Sequence, residues 1–245
     1  MTKESDPGLD VVLLCGGRGV RAYPDTAEVP KPLLEVGGRP VVEHVMDIYA
    51  GQGHTRFLLA GGYRFDLMAE RYEVGLPGRS VEVFDTGLDA DKGERLRAVA
   101  PHCRGERFLV SYADGLGDVD LAALIRFHAR CRAAVTVTTV PLPSQYGTLA
   151  AEKDGRVTEF LENPVLNDHW INAGFFVFER AALEGSSGDL ETDVLPALVR
   201  DGSLYAFRHR GFWKSMDTYK DRQALQSLLD SGRAPWLGPA GEETA

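Results

Sequence analysis

Short unbroken runs of apolar residues alternate with stretches of helical periodicity along the first part of the chain. The apolar runs lie at residues 11–15, 56–60, 81–84, 108–112 and 134–140. Each is bounded by Gly, Pro or Asp, which predicts strands buried on both faces of a parallel sheet. Residues 41–51 and 121–128 place apolar side chains on one side of a helix, and Asp118 or Asp120 can cap the second helix. Strands that alternate with helices predict an α/β fold, a Rossmann-like, mixed but mostly parallel sheet with helices on both faces.

The pattern changes after Pro141, where shorter strands are joined by polar turns such as Asp154-Gly155. The strands are predicted at residues 148–152, 156–161 and 170–178. Their short turns indicate an antiparallel addition to the sheet. Further segments predict a helix, a strand and a final helix at residues 190–200, 204–209 and 218–229.

These elements predict a single domain over residues 10–230. Its first half covers about residues 10–140, and its second half, with the antiparallel addition, covers about residues 141–230. Residues 1–9 are polar and predict a flexible N-terminus, and residues 231–245, rich in Gly, Pro and Glu, predict a flexible tail.

Composition restricts the partners and the compartment. The 245 residues are 44% hydrophobic, and the formal net charge of −9 argues against a general nucleic-acid-binding protein. The three cysteines, at positions 15, 103 and 131, show no metal-ligand spacing, which favours reduced thiols in a cytoplasmic protein. Because no apolar run approaches the roughly 20 residues of a membrane-spanning helix, we expect no membrane partner.

The first predicted strand ends in a glycine-rich turn, Gly16-Gly17-Arg18-Gly19-Val20-Arg21. Glycines let such a turn bend and bring its N–H groups close to a phosphate. Lys31 lies between two prolines that stiffen its backbone, and with Arg18 and Arg21 it concentrates positive charge in an acidic chain. The turn also fits a dinucleotide fingerprint, but that fingerprint needs an acidic residue at the end of a second strand about 20 residues later, and here the second strand comes only near residue 56. A phosphate site and a turn without a ligand remain the alternatives.

Two aspartates far apart in sequence are candidates for a metal site. Asp114 comes directly after a predicted buried strand, and ligands of open α/β sheets bind beyond the carboxyl ends of strands. Asp217 follows Trp213 and Met216, and an apolar setting makes a lone carboxylate costly unless it is paired or bound to metal. Two carboxylates together with phosphate oxygens and water would make an octahedral Mg²⁺ site.

Six segments together resemble the sugar-1-phosphate nucleotidylyltransferase family, and most closely its glucose-1-phosphate cytidylyltransferase branch. The resemblance covers about residues 10–230. The segments occur in order as LCGGRGVR (14–21), PKPLLEVGGRP (30–40), DTG (85–87), YADG (112–115), WINAGFFV (170–177) and GFWKSMDT (211–218).

The resemblance implies a role for each matching position. It assigns catalysis to Arg21 and Lys31, and Mg²⁺ binding to Asp114 and Asp217. The first half would bind the nucleotide, through Leu14, Gly16, Gly17, Gly19, Arg21, Lys31, Ser111 and Asp114. The second half would bind the sugar phosphate, through Tyr146, Gly147, Glu162, Asn163, Asn172, Gly174 and Lys214.

The implied reaction transfers a nucleotidyl group from a nucleoside triphosphate, with CTP favoured, to a sugar 1-phosphate, with glucose 1-phosphate favoured. In-line attack on the α-phosphate, assisted by Mg²⁺, would release pyrophosphate. The resemblance also implies a homo-oligomer.

Three positions depart from the family pattern. Val20 stands where the family has threonine, and Val29 where the branch has a first lysine. Asn163 stands where the family has a lysine that binds the sugar phosphate, and an amide cannot supply that charge. Either another cation compensates, for which Lys92, Arg95 and Lys214 are candidates, or the acceptor is not an ordinary hexose 1-phosphate.

Two alternatives therefore stay open. The same reaction could use another nucleoside triphosphate or a phosphorylated acceptor that is not a hexose. The chain could also be a catalytically silent regulatory relative, although it keeps Lys31, Asp114 and Asp217 together.

Overall fold

A computed structural model describes residues 8–22 and 24–238. The side chain of Arg21 lies outside the described part, so the catalytic role predicted for it has no structural counterpart here. Residues 1–7 and 239–245 of the two predicted flexible ends also lie outside it.

The described chain alternates strands and helices up to residue 143 and then adds mainly strands. The strands are β1 (Val11–Leu14), β2 (Glu35–Val36), β3 (Arg39–Pro40), β4 (Arg56–Gly61), β5 (Ser80–Asp85), β6 (Arg107–Tyr112), β7 (Gly115–Gly117), β8 (Val135–Pro143), β9 (Thr148–Ala151), β10 (Val157–Leu161), β11 (Val165–Glu179), β12 (Leu204–Arg208) and β13 (Trp213–Ser215). The helices are α1 (Val41–Ala50), α2 (Phe65–Tyr72), α3 (Lys92–Val99), α4 (Leu121–Cys131), α5 (Leu195–Arg200) and α6 (Tyr219–Asp230).

The main sheet has seven strands in the order β12-β8-β11-β6-β1-β4-β5. Strand β1 pairs in parallel with β4 and β6, β4 with β5, and β8 with β12. Strand β11 runs antiparallel to both of its neighbours, β6 and β8. The prediction of a mixed, mostly parallel α/β sheet is confirmed, and both halves of the chain contribute to it.

Helices cover both faces of this sheet because its central strands are apolar on both sides. Val11 and Leu13 of β1 face a cluster that contains side chains of α1, α2, α4 and α6. Val12, between them, faces a second cluster with Leu96 of α3 and Leu198 of α5. This is the two-sided burial expected of continuous apolar strands.

Short polar signals fix where two of the helices begin. Asp120, rather than Asp118, caps α4 by accepting a hydrogen bond from the Ala123 N–H. Asp91 caps α3 in a reciprocal capping box with Glu94. Helices α2 and α3 were not predicted, because their mixed polarity hides the apolar stripe.

The second half differs from its prediction in two places. Strands β9 and β10 pair only with each other, as an exposed hairpin beside the main sheet, so β11 alone supplies the antiparallel strand of that sheet. The predicted tail has one buried residue in its described part, which ends at Gly238: Trp236 is 3% exposed and stacks on Phe212. A single large aromatic side chain anchors this segment despite its Gly-rich and Pro-rich composition.

Candidate active site

A cavity of about 580 Å³ opens at the carboxyl ends of β1 and β6. This is the edge at which open α/β sheets bind their ligands. The cavity is lined by Leu14, Cys15, Gly16, Gly17, Gly19, Lys31, Pro32, Ala90, Asp91, Lys92, Arg95, Tyr112, Ala113, Asp114, Gly115, Asn172, Asp189, Glu191, Trp213, Ser215 and Asp217.

A buried arginine lies directly beneath the glycine-rich turn. A Cβ atom at Gly16 would overlap the guanidinium of Arg95, which is 4% exposed. Arg95 donates hydrogen bonds to the carbonyl oxygens of Gly61, Gly87 and Leu88. Burial holds the pKa of this guanidinium below its usual value. Arg95 therefore supports the turn and the loop after β5 through both of its Nη atoms.

Lys31 joins the two aspartates predicted to bind metal. Its Nζ contacts Oδ2 of Asp114 and lies 2.7 Å from Oδ1 of Asp217. Lys31 sits in a 3₁₀ turn, Lys31–Leu33, that begins after Pro30 and keeps its side chain largely buried. The three charged groups predicted from distant parts of the sequence thus meet at one point of the cavity.

Pairing of two short strands brings Asp217 to Asp114. Strand β13 runs antiparallel to β7, with Ser215 opposite Gly115. The Met216 N–H then donates to the carbonyl oxygen of Asp114 at 3.0 Å. Ser215 Oγ donates to Oδ2 of Asp217 at 3.0 Å, which orients that carboxylate.

The side chains at this point fit a Mg²⁺ ion whose remaining ligands come from the substrate. Within residues 8–22 and 24–238 there is no cluster of three or more His, Cys, Asp or Glu that could hold a metal by itself. Asp114 and Asp217 nevertheless direct one carboxylate oxygen each at a single cation, the ammonium of Lys31. Mg²⁺ is commonly held by one or two carboxylates together with substrate phosphates, which is what this pair offers.

The thiol of Cys15 lines the same cavity but is not poised to react. Burial, with the Asp114 carboxylate nearby, raises the pKa of Cys15 far above its usual value. A thiol that stays protonated is a poor nucleophile. Cys15 is therefore a small packed residue of the cavity wall.

The wall opposite the glycine-rich turn carries a connected polar network. Tyr112 OH donates to Oε1 of Glu191 at 2.5 Å and accepts from Nδ2 of Asn172 at 2.8 Å. Lys92 Nζ lies 2.7 Å from the same Glu191 oxygen. Burial, reinforced by Glu191, raises the pKa of the Tyr112 phenol, so it remains a hydrogen-bond donor.

Gly174 fixes the shape of this wall. Its φ of 83° lies in the left-handed region, and a Cβ atom there would overlap the ring of Tyr112. Its N–H donates to Oδ1 of Asn172 at 2.8 Å, which leaves the Asn172 amide nitrogen aimed at Tyr112. Asn172 and Gly174 thus lie together, as predicted for the second half of the site.

Other predicted residues lie away from the lining. Ser111 is 1% exposed inside the sheet, because it points to the face of β6 opposite Tyr112. Lys214 directs its Nζ to Asp221 of α6, at 2.7 Å, and is not among the described lining residues.

Four predicted residues flank the exposed β9–β10 hairpin. Tyr146 and Gly147 precede β9, and Glu162 and Asn163 follow β10. Gly147 and Glu162 lie close together, since a Cβ atom on Gly147 would be 2.9 Å from Oε2 of Glu162. Asn163 adopts a φ of 47° in an exposed turn.

Glu191 is the main residue of the cavity that sequence analysis missed. It lies in a π-helical turn, Leu190–Val194, which Asp189 caps. A carboxylate inside a helical stretch has the same sequence signal as any solvated surface residue. Only the packing of this turn against the start of α3 places Glu191 in the cavity.

Comparison with known proteins identifies the family. The sequence model of the family described as "Nucleotidyl transferase" matches residues 10–221. A glucose-1-phosphate cytidylyltransferase of Salmonella typhi is 33% identical over 93% of this chain and 98% of its own length. The chain belongs to the nucleotidyl transferase family, among the sugar-1-phosphate nucleotidyltransferases.

Further comparisons agree with this membership. A mannose-1-phosphate guanylyltransferase of Mycobacterium tuberculosis is 31% identical over 93% of this chain and 66% of its own length. The solved structure of HddC from Yersinia pseudotuberculosis superposes with a TM-score of 0.72 at 20% identity, covering 91% of this chain and all of that one. The structural likeness confirms the fold. None of the helices in the described residues is long and apolar enough to cross a membrane.

Proposed function

We propose that this nucleotidyltransferase transfers the nucleotidyl group of a nucleoside triphosphate, with CTP first, to a sugar 1-phosphate, with glucose 1-phosphate first, and releases pyrophosphate. The observation that carries the proposal is the meeting of Lys31, Asp114 and Asp217 beside a glycine-rich turn. The relative named glucose-1-phosphate cytidylyltransferase, 33% identical along almost the whole chain, supports the choice of first substrates.

The chemistry needs positioning more than proton transfer. A phosphate oxygen of the acceptor attacks the α-phosphorus in line, a new P–O bond forms, and the bond to the β-phosphate breaks. The acceptor phosphate is already ionised near neutral pH, so no general base is required. Catalysis then rests on alignment and on neutralising charge on the phosphates.

Different residues of this chain bind the phosphates and neutralise their charge. N–H groups of the glycine-rich turn, above the buried Arg95 guanidinium, face the triphosphate. Lys31 is within contact distance of both carboxylates and supplies an ammonium for the α-phosphoryl group and the leaving pyrophosphate. We assign the same role to Arg21 from the family resemblance.

Asp114 and Asp217 would hold Mg²⁺, which when bound supplies positive charge to the two reacting phosphates. Their separate origins, one after β6 and one after β13, mean that both halves of the chain must be folded to form the pair.

Another nucleoside triphosphate, or an acceptor other than a hexose 1-phosphate, is the second candidate. Two observations favour it: the relative named mannose-1-phosphate guanylyltransferase, 31% identical to this chain, and Asn163 at the position of the family lysine. A catalytically silent subunit is disfavoured, because a silent chain has no need to keep Lys31 between two partly buried carboxylates.

Pyrophosphate release measured with single nucleotides against a panel of phosphorylated acceptors tests the proposal. We expect turnover with CTP and glucose 1-phosphate in the presence of Mg²⁺. Turnover confined to another pair would establish the second candidate, and no release with any pair would contradict the proposed reaction.

A further inference from the structure

The acceptor phosphate needs a cation that the sequence does not supply at the expected position. Asn163 offers only an amide, and it lies in an exposed turn after the hairpin. Among the described residues that line the cavity, only Lys31, Lys92 and Arg95 are cationic. The compensating group must therefore be sought among these three.

Two of the three cations are already committed. Lys31 contacts Asp114 and Asp217 at the reaction centre. Arg95 is buried, and its guanidinium donates to the backbone carbonyl oxygens of Gly61, Gly87 and Leu88. Neither can turn to a second phosphate without giving up a contact that shapes the site.

Lys92 is the least tightly held of the three. Its side chain is 47% exposed, and its only ion pair among the described residues is with Glu191. Of the neighbouring carboxylates, Asp91 accepts from the Glu94 N–H and Asp189 accepts from the Glu191 N–H, and neither is ion-paired with Lys92 in the described part of the chain.

The position of Lys92 also suits an acceptor. Its Nζ lies 5.6 Å from the centre of the Tyr112 ring, and Tyr112 ends the strand that leads to Asp114. Oε2 of Glu191 is buried and has no hydrogen-bond partner in the described part of the chain. A bound acceptor can therefore contact Lys92 with its phosphate, while Oε1 of Glu191 keeps its hydrogen bond from Tyr112.

We propose that Lys92 binds the phosphate of the acceptor in place of the lysine absent at position 163, and that Glu191 holds Lys92 in position before the acceptor enters. This inference rests on the proposed function, because it assumes a phosphorylated acceptor at this wall. It selects Lys92 over Arg95 and Lys214, the other two candidates that sequence analysis left open.

Steady-state kinetics of Lys92→Met with CTP and glucose 1-phosphate test the inference. Loss of a charge-assisted hydrogen bond should raise the KM for glucose 1-phosphate by about 10- to 100-fold. The KM for CTP should stay within about twofold, and Lys92→Arg should recover most of the loss because it restores the charge. If Lys92 had only a structural role, Lys92→Met would raise the KM for both substrates together.

Two lysine variants sharpen the comparison. Lys220→Met removes an exposed lysine of α6 and should leave both KM values unchanged. Lys214→Met separates the rival candidate: a rise in the acceptor KM in this variant, with none in Lys92→Met, would overturn the inference. An unchanged acceptor KM in Lys92→Met, or an equal rise for CTP, would overturn it as well.

Failure of the proposed reaction can be told apart from failure of the inference. If the wild-type protein releases no pyrophosphate with any substrate pair, the reaction is wrong, and calorimetric titration with glucose 1-phosphate then tests the inference alone. Binding by the wild-type protein that falls at least tenfold in Lys92→Met supports it. Equal binding by both proteins, or none by the wild type, contradicts it.

Discussion

The two halves of the chain present their site residues in different ways. In the first half, the glycine-rich turn and Asp114 follow strands β1 and β6, whose side chains are buried on both faces. In the second half, Asn172 and Gly174 belong to β11, but four predicted residues flank an exposed two-stranded hairpin. Of the groups proposed to perform transfer, those of the first half are thus held by the core, whereas four residues proposed for acceptor recognition lie at a lightly supported surface element.

This difference separates two kinds of requirement. Transfer of a nucleotidyl group needs one geometry, so the charged side chains that assist it are best held in place at rigid strand ends. Acceptors vary in shape, and a loop or hairpin can change without disturbing the core. Substitutions in the two halves should therefore affect different quantities.

The largest effect is expected at the centre of the first half. Asp114→Asn removes one of the two carboxylates and should lower pyrophosphate release by at least about 100-fold, since neutralising charge is the main catalytic contribution. The thermal midpoint should change little, because Asp114 is partly exposed at the strand end. Retention of more than a tenth of wild-type activity would show that the metal assignment is wrong.

Gly174, in the strand of the second half that pairs with β6, should affect the free energy of unfolding as well as the site. Gly174→Ala combines a positive φ with overlap of the Tyr112 ring and should lower the free energy of unfolding by about 1–3 kcal/mol. Gly155→Ala has a φ of 89° with open space around it, so it measures the backbone contribution alone. Equal losses in both variants, from urea denaturation, would mean that the contact with Tyr112 has no energetic weight.

Three buried histidines of the first half should make the free energy of unfolding fall in mild acid. Burial lowers the pKa of His44, His54 and His128 below the usual 6.5. Each favours folding when neutral, so this stability is complete above about pH 6.5 and falls as the pH drops through the folded pKa. Urea denaturation between about pH 7.5 and pH 5 should show this fall.

Histidine to glutamine substitution provides the control for that measurement. His128→Gln should reduce the dependence of stability on pH, whereas His169→Gln, at an exposed site in β11 where the ring contacts the neighbouring Asp168, should reduce it less. An equal pH dependence in the wild type and in His128→Gln would remove His128 from the explanation.

The smallest effect is expected in the hairpin. Phe160 of β10 is 62% exposed, so Phe160→Ala should change the free energy of unfolding by no more than about 0.5 kcal/mol. Phe108 of β6 is fully buried, and Phe108→Ala should cost about 3–5 kcal/mol. A large loss in Phe160→Ala would mean that the hairpin is covered in solution, for example by the second subunit that the family resemblance predicts.

The features of the fold that the sequence predicts correctly are those that a single local rule decides. Continuous apolar runs predicted the central strands, and the position of Asp114 after one of them predicted its place at the sheet edge. The approach of Asp217 was less local, because it depends on the pairing of β13 with β7. Two three-residue strands leave almost no hydrophobic pattern, so the sequence indicated a paired or metal-bound Asp217 but not the strand pairing that brings it to Asp114.

The remaining differences also have physical causes. Ser111 and Tyr112 are adjacent in sequence, but strand alternation sends one into the core and the other to the cavity. Lys92 at the start of α3 and Glu191 in the π-helical turn are far apart in sequence, so periodicity does not record their contact. Trp236 shows that one buried aromatic ring can outweigh the composition of its surroundings.

The pairing of β13 with β7 also determines when the protein acquires its chemistry. Until the polypeptide has emerged from the ribosome beyond residue 217, the aspartate after β6 has no acidic counterpart. A nascent chain could already shape the glycine-rich turn, yet it would lack one of the two carboxylates proposed to hold a divalent ion. Copies that end before this point are therefore expected to release no pyrophosphate.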